Sequence, residues 1–319
     1  MDKKRILVTG AAGFIGFHFS RKRREKGDVV VGLDNFNDYY NPALKRARAK
    51  ILQDEGVVTH EMDLADQSGI TRLVDELKPT HVVHLAAQAG CRYSITHPEV
   101  YLKSNVEGFL HILEVCRKRP DIRLVYASSS SVYGSNKKIP FSLKDSTDHP
   151  TNVYGATKKM NELMANTYHH LYHLPLVGLR FFTAYGPWGR PDMAYFSFTK
   201  ALFENKPIDL YNFGNMRRDF TYIDDIVSGI EHSLQIEEGC HFFNLGNHRP
   251  ESLHTLVELI EHETGKKAQK NLLEMPPSEI VETYADIDES RERLGFEPKV
   301  TLAEGIHQFV KWYRAYFRV

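Results

Sequence analysis

Cysteine is scarce in this sequence, with three among 319 residues. Cys91, Cys116 and Cys240 are far apart and show no paired spacing. This distribution argues against both a disulfide framework and a cysteine-based zinc site. It predicts reduced thiols and a cytoplasmic location.

A metal-binding motif is also lacking, although the chain contains 16 histidines. No His-x-x-x-His motif with a glutamate base occurs. The nearest cluster is His169, His170 and His173, on the polar face of a predicted helix. A solvated helix face explains such a cluster better than a ligand set, so we expect no metal.

Neither an excess of one charge nor a long apolar run is present. Lys plus Arg and Asp plus Glu number 41 each, so no overall field attracts nucleic acid or an acidic membrane. No apolar stretch has membrane-spanning length, and the start of the chain, MDKKR, does not resemble a signal peptide. We therefore expect a soluble protein with no nucleic-acid or membrane partner.

Short apolar segments alternate with segments of helical spacing through the first half of the chain. The length of 319 residues and hydrophobic content of 42% allow a sizeable core, in one large or two modest domains. The predicted strands are residues 6–9, 29–33, 57–61, 81–85, 124–127 and 176–181. This repetition predicts an α/β fold with a parallel sheet and right-handed crossovers.

A glycine-rich turn, GAAGFIG at residues 10–16, joins the first strand to the first helix. Glycine at positions 10, 13 and 16 allows a tight turn, close approach of a pyrophosphate, and packing of helix on strand. The second strand ends at Asp34, 18 residues after Gly16. A carboxylate there suits two ribose hydroxyls and repels a 2′-phosphate, so the sequence predicts NAD rather than NADP.

Two further segments fit a cofactor site. Asp63 follows the third strand, where it either accepts a hydrogen bond from an adenine amine or caps the helix that begins near Asp66. Residues 86–90, AAQAG, follow the fourth strand. Their small side chains leave room for a cofactor at the carboxyl edge of the sheet.

The segment with the most chemical content is residues 128–158. A buried strand ends in the serine run SSSSVYG at residues 128–134, and a predicted helix carries YGATK at residues 154–158. One turn separates Tyr154 from Lys158, so both lie on one helix face. We expect the ammonium to lower the pKa of the phenol from its ordinary value, which makes Tyr154 a candidate general base.

Together these motifs resemble the extended short-chain dehydrogenase/reductase family. Later segments extend the resemblance over nearly the whole chain and match its nucleotide-sugar epimerase branch: LRFFTAYGP at residues 179–187, RRDFTYIDDI at 217–226 and FNLG at 243–246. DNFNDYY at residues 34–40 and WGRPDMAYF at 188–196 are similar to the UDP-glucuronate 4-epimerases within that branch.

The resemblance implies a Rossmann-type doubly wound parallel sheet with a smaller α/β substrate lobe. Residues 1–179, with about 224–246, are expected to form the NAD-binding domain. Residues 180–223 and 247–319 are expected to form the nucleotide-sugar-binding lobe. A homodimer is implied through a four-helix contact made by residues 98–116 and 154–171, although apolar residues on those helices could equally face the sheet.

The implied reaction is C4 epimerisation of UDP-glucuronate to UDP-galacturonate through a 4-keto intermediate, without decarboxylation. NAD is tightly bound and recycled. The catalytic residues are Ser129, with Ser131 as the fallback, Tyr154 and Lys158. The implied cofactor-binding residues are Gly10, Gly13, Phe14, Ile15, Gly16, Asp34, Asn35, Asp63, Leu64, Leu85, Ala86, Ala87, Asn105, Tyr154, Lys158 and Phe181.

A uronic acid substrate requires groups that bind its C6 carboxylate, and hydroxyls and guanidinium groups meet that need. The implied substrate-binding residues are Arg92, Ser130, Ser131, Thr183, Arg190, Tyr195, Tyr211, Arg218 and Glu279. Arg218 and Asp219 resemble the diphosphate and ribose region, although an adjacent pair of this kind can be a surface ion pair. At Ser278-Glu279 the chain departs from the Gly-Asp that is usual in the family.

Related decarboxylases carry Glu at the place of Ser131, and sugar 4,6-dehydratases carry Asp-Glu at the places of Ser130 and Ser131. Hexose epimerases usually have Asn at the place of Thr183. The hydroxyl side chains of Ser130, Ser131 and Thr183 argue against these activities. The alternatives that we keep are a UDP-glucose/UDP-galactose 4-epimerase, a UDP-glucuronate decarboxylase, and a catalytically inactive NAD-sensing regulator.

Overall fold

The computed structural model describes residues 3–276 and 280–319. The strands are β1 Arg5–Thr9, β2 Val29–Asp34, β3 Val58–Glu61, β4 His81–His84, β5 Arg123–Ser129, β6 Leu176–Phe181, β7 Thr183–Tyr185, β8 Ile208–Tyr211, β9 Arg217–Tyr222, β10 Cys240–Leu245, β11 Pro250–Ser252, β12 Lys270–Leu273 and β13 Glu282–Thr283. The α-helices are α1 Phe14–Glu25, α2 Ala43–Asp54, α3 Gln67–Leu77, α4 Tyr93–Thr96, α5 Pro98–Tyr101, α6 Gly108–Arg117, α7 Val153–Tyr172, α8 Ala194–Phe203, α9 Ile223–Ser233, α10 Leu253–Thr264, α11 Asp288–Leu294 and α12 Leu302–Phe317.

Seven strands form one parallel sheet in the order β10-β6-β5-β4-β1-β2-β3. Its central strands are continuous apolar runs, as in β1, where Ile6, Leu7 and Val8 are fully buried. Strands buried on both faces have this composition because helices cover both sides of a parallel sheet. Helices α1, α2 and α9 pack together, and α3, α6 and α7 form a second group. The predicted Rossmann-type α/β fold is confirmed.

The remaining strands form two smaller sheets. Strand β9 pairs with β7, β11 and β13, and β8 pairs with β12. Helices α8, α10 and α12 pack with them. The chain returns to the main sheet in β10, which pairs with β6. No helix in the described residues has both the length and the apolar character needed to cross a bilayer.

The sequence predicted one helix over residues 98–116, and in the structure this span is helical throughout but changes its hydrogen-bonding pattern within it. Short helices α4 and α5 lead into a π-helical stretch, Leu102–Glu107, before α6 begins. In the wider π turn Asn105 is fully buried, and its amide hydrogen-bonds Gln88 and Thr157. The irregularity therefore has a packing cause that helical spacing alone does not reveal.

Candidate active site

A cavity of about 1060 Å³ runs along the carboxyl edge of the main sheet. The strand ends and loops that follow β1, β2, β4, β5 and β6 line one side, and the segments around α8, β8 and β9 line the other. In open parallel α/β sheets, ligands bind in the crevice at the carboxyl ends of the strands, at the point where the strand order reverses. The site residues lie together because parallel strands all end at this edge.

The glycine-rich turn forms one end of the cavity. Gly10 has a φ of +71°, and a Cβ on Gly16 would lie 2.1 Å from the carbonyl oxygen of Gly10. The turn can therefore close only with glycine at these positions. Gly13 is the N-cap of α1 and makes no side-chain capping bond. The amino end of α1 thus faces the cavity with its dipole, as a phosphate site requires.

Asp34 lies beside this turn at the end of β2. Its carboxylate accepts backbone hydrogen bonds from Ala12 at 3.1 Å and Phe36 at 2.9 Å. Burial raises the pKa of Asp34, and the nearby Lys45 ammonium acts in the opposite direction. The carboxylate is therefore fixed against the turn, and it lines the cavity.

Helix α7 brings Tyr154 and Lys158 to the middle of the cavity. Asn152 caps the helix, because its side chain accepts the amide of Gly155 at 2.9 Å. Two turns after Tyr154, the buried carboxylate of Glu162 accepts a hydrogen bond from Ser128 Oγ at 2.7 Å. It also accepts two hydrogen bonds from the Arg180 guanidinium, at 2.8 Å each. These contacts hold the helix on the ends of β5 and β6.

The expected effect of Lys158 on Tyr154 is not what the structure shows. Lys158 is buried, and its Nζ donates a hydrogen bond to the carbonyl oxygen of Ala127 at 2.8 Å. Burial lowers the pKa of Lys158 to about 8, so the amine is still mostly protonated at neutral pH. Burial raises the pKa of Tyr154, whereas the hydrogen bond with Ser129 and the charge of Arg190 lower it. The predicted lowering of the Tyr154 pKa by Lys158 is therefore not found: Ser129 and Arg190 are the groups that lower it, and the Lys158 ammonium is hydrogen-bonded to the strand.

The serine run places hydroxyls around the phenol. Ser129 ends β5, and its Oγ donates to Ser131 Oγ at 3.2 Å and accepts the Ser131 amide at 3.1 Å. The thiol of Cys91 lies 3.5 Å from Ser131 Oγ. Cys91 is half-buried and lines the cavity. Of these serines, Ser129 is the one whose hydrogen bond lowers the pKa of Tyr154, and its hydroxyl is bonded in turn to Ser131.

Arg190 reaches the cavity from the loop before α8. Its guanidinium makes a bidentate ion pair with Asp192, at 3.0 and 2.5 Å, and Tyr39 donates its hydroxyl to the same carboxylate at 3.1 Å. Although burial alone would lower it, Asp192 keeps the pKa of Arg190 above its ordinary value. Arg190 is thus a fixed cation, near enough to Tyr154 to affect the phenol's pKa.

The far end of the cavity contains Arg92, Tyr211 and Arg218. The guanidinium carbon of Arg92 lies 4.3 Å from the centroid of the Tyr211 ring. Asp219 is not at the cavity: it is fully buried and accepts the backbone amides of Asn247, His248 and Ala285. Both the expected ribose contact and the surface ion pair are therefore wrong for Asp219, which joins β9 to neighbouring chain segments.

Comparison with known proteins agrees with this geometry. Residues 6–246 match the NAD dependent epimerase/dehydratase family. The chain belongs to that family. It is 47% identical to UDP-glucuronate 4-epimerase 4 of Arabidopsis thaliana over 330 residues, 98% of this chain and 76% of that protein.

Two solved structures extend the comparison. One is the UDP-glucuronic acid 4-epimerase of Bacillus cereus in complex with UDP-glucuronic acid and NAD, with a TM-score of 0.91 and 32% identity over 98% of this chain and 99% of that one. The other is the UDP-glucose 4-epimerase of Thermotoga maritima with UDP-glucose, with a TM-score of 0.89 and 28% identity over the same shares.

Most of the residues predicted for an epimerase of this family line the one cavity. Among the described residues the exception is Asn105. Asn105 is a buried support for the loop after β4, and Glu279 lies outside the described residues. The sequence also left the role of Asp63 open. Asp66 caps α3, while Asp63 accepts Asn35 Nδ2 at 3.0 Å, so the capping alternative for Asp63 is wrong.

Sequence reasoning missed several residues of this epimerase-family site. Their contacts join segments far apart in the chain, which no local spacing reveals. The missed residues that lie in or beside the cavity are Tyr39, Arg48, Cys91, Glu162 and Asp192.

Proposed function

We propose that this chain converts UDP-glucuronate to UDP-galacturonate by inverting C4, without loss of the carboxyl group. The observation that carries the proposal is that Ser129, Tyr154 and Lys158 line the same cavity as the glycine-rich turn and a group of hydroxyls and guanidinium groups. The enzymes it resembles in sequence and structure, including one with UDP-glucuronic acid and NAD, support the same substrate and cofactor.

NAD fits the cofactor end of the cavity. The Gly10 to Gly16 turn and the uncapped amino end of α1 suit a diphosphate, and the Asp34 carboxylate suits a ribose diol. The remaining predicted contacts lie along the same wall: Phe14, Ile15, Asn35, Asp63, Leu64, Leu85, Ala86, Ala87 and Phe181. Lys158 would donate to the nicotinamide ribose. Bound NAD would accept hydride from C4 and later return it.

Tyr154 takes the proton of the sugar 4-hydroxyl as general base and returns it at the end. Ser129 donates to the same oxygen, and the positive charge of Arg190 favours the phenolate. The 4-keto sugar then turns over in the cavity before its opposite face is reduced. Because the same proton leaves and returns, the site needs no separate acid.

The carboxylate is proposed to lie among Ser130, Ser131, Thr183 and Arg190. These residues line the cavity next to Tyr154, and Tyr195 packs behind Arg190. A 4-keto uronic acid is a β-keto acid and loses carbon dioxide readily. Hydrogen bonds from these hydroxyls hold the carboxylate away from the orientation in which its C–C bond can break.

Replacing Ser131 by Glu should raise the fraction of UDP-pentose among the products, because an acid beside the 4-keto sugar assists decarboxylation and repels the bound carboxylate. The measurement is the pentose-to-uronate ratio by chromatography. Ser131→Ala is the matched control, since it removes the hydroxyl without adding an acid. An unchanged ratio in Ser131→Glu would contradict this role of the hydroxyls.

The uridine diphosphate is proposed to occupy the end of the cavity with Arg92, Tyr211 and Arg218. The ring of Tyr211, held by the Arg92 guanidinium, offers its other face to a base. Arg218 is the proposed diphosphate cation, and Glu279 remains the proposed ribose contact. We also propose that residues 1–179 with about 224–246 form the cofactor domain, and residues 180–223 and 247–319 the substrate lobe.

The decisive experiment incubates the purified protein with UDP-glucuronate and separates the products. UDP-galacturonate supports the proposal, and UDP-xylose would indicate a decarboxylase. Turnover of UDP-glucose alone would indicate a hexose epimerase, although Thr183 lines the cavity where those enzymes usually have Asn. Bound NAD without turnover of either sugar would indicate the NAD-sensing regulator.

We further propose that two copies associate through α7 and the neighbouring helices. Met160, Leu163 and Leu171 form an exposed apolar stripe on α7, with side chains at helical spacing, and Leu102 adds to it from the π-helical stretch. This stripe is continuous with the packed pair α6 and α7. A second copy presenting the same stripe would bury it in a self-complementary contact.

Leu163→Glu should convert the proposed dimer to a monomer, because a charge in the centre of an apolar contact opposes burial. Light scattering after gel filtration gives the mass directly. Leu272→Glu is the matched control, since Leu272 is equally exposed on β12. A wild-type monomer, or a dimer that survives Leu163→Glu, would contradict this interface.

The free cysteines support a cytoplasmic location, which cell fractionation tests.

A further inference from the structure

Arg48 lies between the cofactor end and the substrate end of the cavity without lining it. It belongs to α2 and is fully buried. Its Nη1 donates to the carbonyl oxygen of Ala12 at 3.0 Å and to the Tyr40 hydroxyl at 2.9 Å. Its Nη2 donates to the carbonyl oxygens of Trp188 at 2.5 Å and Gly189 at 3.1 Å. One guanidinium therefore joins the glycine-rich turn to the segment immediately before Arg190.

The bonds of Arg48 fall on two peptide segments whose placement matters for the site. The Ala12 peptide is held on its other side by Asp34, which accepts its amide. Trp188 has a φ of +61°, a conformation that a bulky residue adopts only when its surroundings enforce it. By holding the carbonyl groups of Trp188 and Gly189, Arg48 fixes this turn and with it the start of the Arg190 side chain.

Two other cofactor-side residues hold the same segment. His18 on α1 hydrogen-bonds the carbonyl oxygen of Pro187 at 2.9 Å. Tyr39, in the loop after β2, donates to Asp192, the partner of Arg190. The segment 187–192 is thus fastened along its length to the elements that surround the dinucleotide turn.

We propose that Arg48 is a positioning residue that couples the dinucleotide turn to Arg190. It contacts no reacting atom. Its planar fork satisfies four acceptors on three chain segments, which a single ammonium cannot reproduce. The guanidinium holds the Ala12 carbonyl group and the Trp188 turn in one fixed relation. The Arg190 side chain therefore starts from a fixed position relative to the dinucleotide turn. The inference rests on the proposed function for its substrate.

The test is a double-mutant cycle between Arg48→Lys and Arg190→Ala. Arg48→Lys should lower kcat/KM for UDP-glucuronate by about a hundredfold, the scale expected when a reacting group is displaced by about 1 Å. In the Arg190→Ala background the same change should have less than about a twofold effect, because the residue through which Arg48 acts is already gone. Multiplying effects, or wild-type activity in Arg48→Lys, would overturn the proposal.

Arg23→Lys is the matched control. Arg23 is a buried arginine on α1 that pairs with Asp28 and Glu231, away from the cavity. It should change stability without lowering kcat/KM. Any effect that it has should multiply with that of Arg190→Ala. An Arg23→Lys result that matches Arg48→Lys in both backgrounds would reduce Arg48 to a general packing role and overturn the proposal.

Two further measurements keep the inference separable from the proposed function. Calorimetric titration of the NAD-loaded proteins with UDP-glucuronate gives the same cycle from Kd, without any turnover. A wild type that binds the nucleotide sugar but produces no UDP-galacturonate would contradict the function alone. Tyr40→Phe, a mild change that removes one acceptor of Arg48, should also lose its effect on Kd in the Arg190→Ala background. If Arg48→Lys does not fold, this variant decides the question, and independent effects would overturn the proposal.

Discussion

Tyr154→Phe should lower kcat for UDP-glucuronate by about a thousandfold, the middle of the range for loss of a general acid–base group. The substitution removes one oxygen. The ring should keep its edge contact with Tyr101, whose centroid lies 6.1 Å away, and Lys158 should keep its bond to Ala127. Protein stability and NAD content should therefore remain close to those of the wild type, while kcat falls.

The measurements are kcat, the NAD released on denaturation, and the unfolding midpoint. Tyr168→Phe is the matched control: it lies on the same helix, and its hydroxyl donates to Glu114 at 2.7 Å, far from the serine run. Its kcat should be unchanged. A Tyr154→Phe protein with more than half of the wild-type rate would remove the basis of the proposed mechanism.

Glu162→Leu should lower the free energy of unfolding by about 3–5 kcal/mol, the usual effect of leaving a buried charge without its partner. The side chains of Glu162 and Arg180 are only 3% and 6% exposed. Although burial alone would lower it, Glu162 keeps the pKa of Arg180 above its ordinary value, so the arginine remains charged. Without the carboxylate that charge lies between β6 and α7 with no compensating anion.

The double variant Glu162→Leu/Arg180→Leu should recover most of this loss, because an apolar pair of similar size can replace a buried ion pair at little cost. The Ser128 hydroxyl, which donates to Glu162, accounts for a residual deficit of about 1 kcal/mol. Urea denaturation measures all three proteins. Equal instability of the single and double variants would show that the ion pair is not what anchors α7.

The strands and the main site motifs could be predicted because their signals are local. Strand β6 has the predicted boundaries, and the glycine-rich turn lies where spacing placed it. Tyr154 and Lys158 share a helix face for the same reason. Arg48 could not be found in this way, because its four acceptors come from residues 12, 40, 188 and 189, and sequence spacing carries no information about such contacts.

The burial and hydrogen-bond partners of the charged side chains also could not be predicted from the sequence. The spacing of Tyr154 and Lys158 suggested a direct interaction, but the direction of the lysine side chain depends on the carbonyl group of Ala127, which belongs to another element. Asp219 is a similar case. The adjacent charged residues Arg218 and Asp219 suggested that both contact the ligand. In the structure, however, Asp219 is buried, and its carboxylate accepts hydrogen bonds from the backbone amides of Asn247 and Ala285.

The parallel direction of all seven strands in the main sheet has a consequence for how the chain tolerates change. Chemistry is confined to one rim, so the turns at the opposite rim only reverse the chain. The connections at residues 55–57 and 118–122 are of this type, and Gly56 and Pro120 at their tips are exposed. Insertions, affinity tags or a fused partner placed there would leave the reacting groups undisturbed.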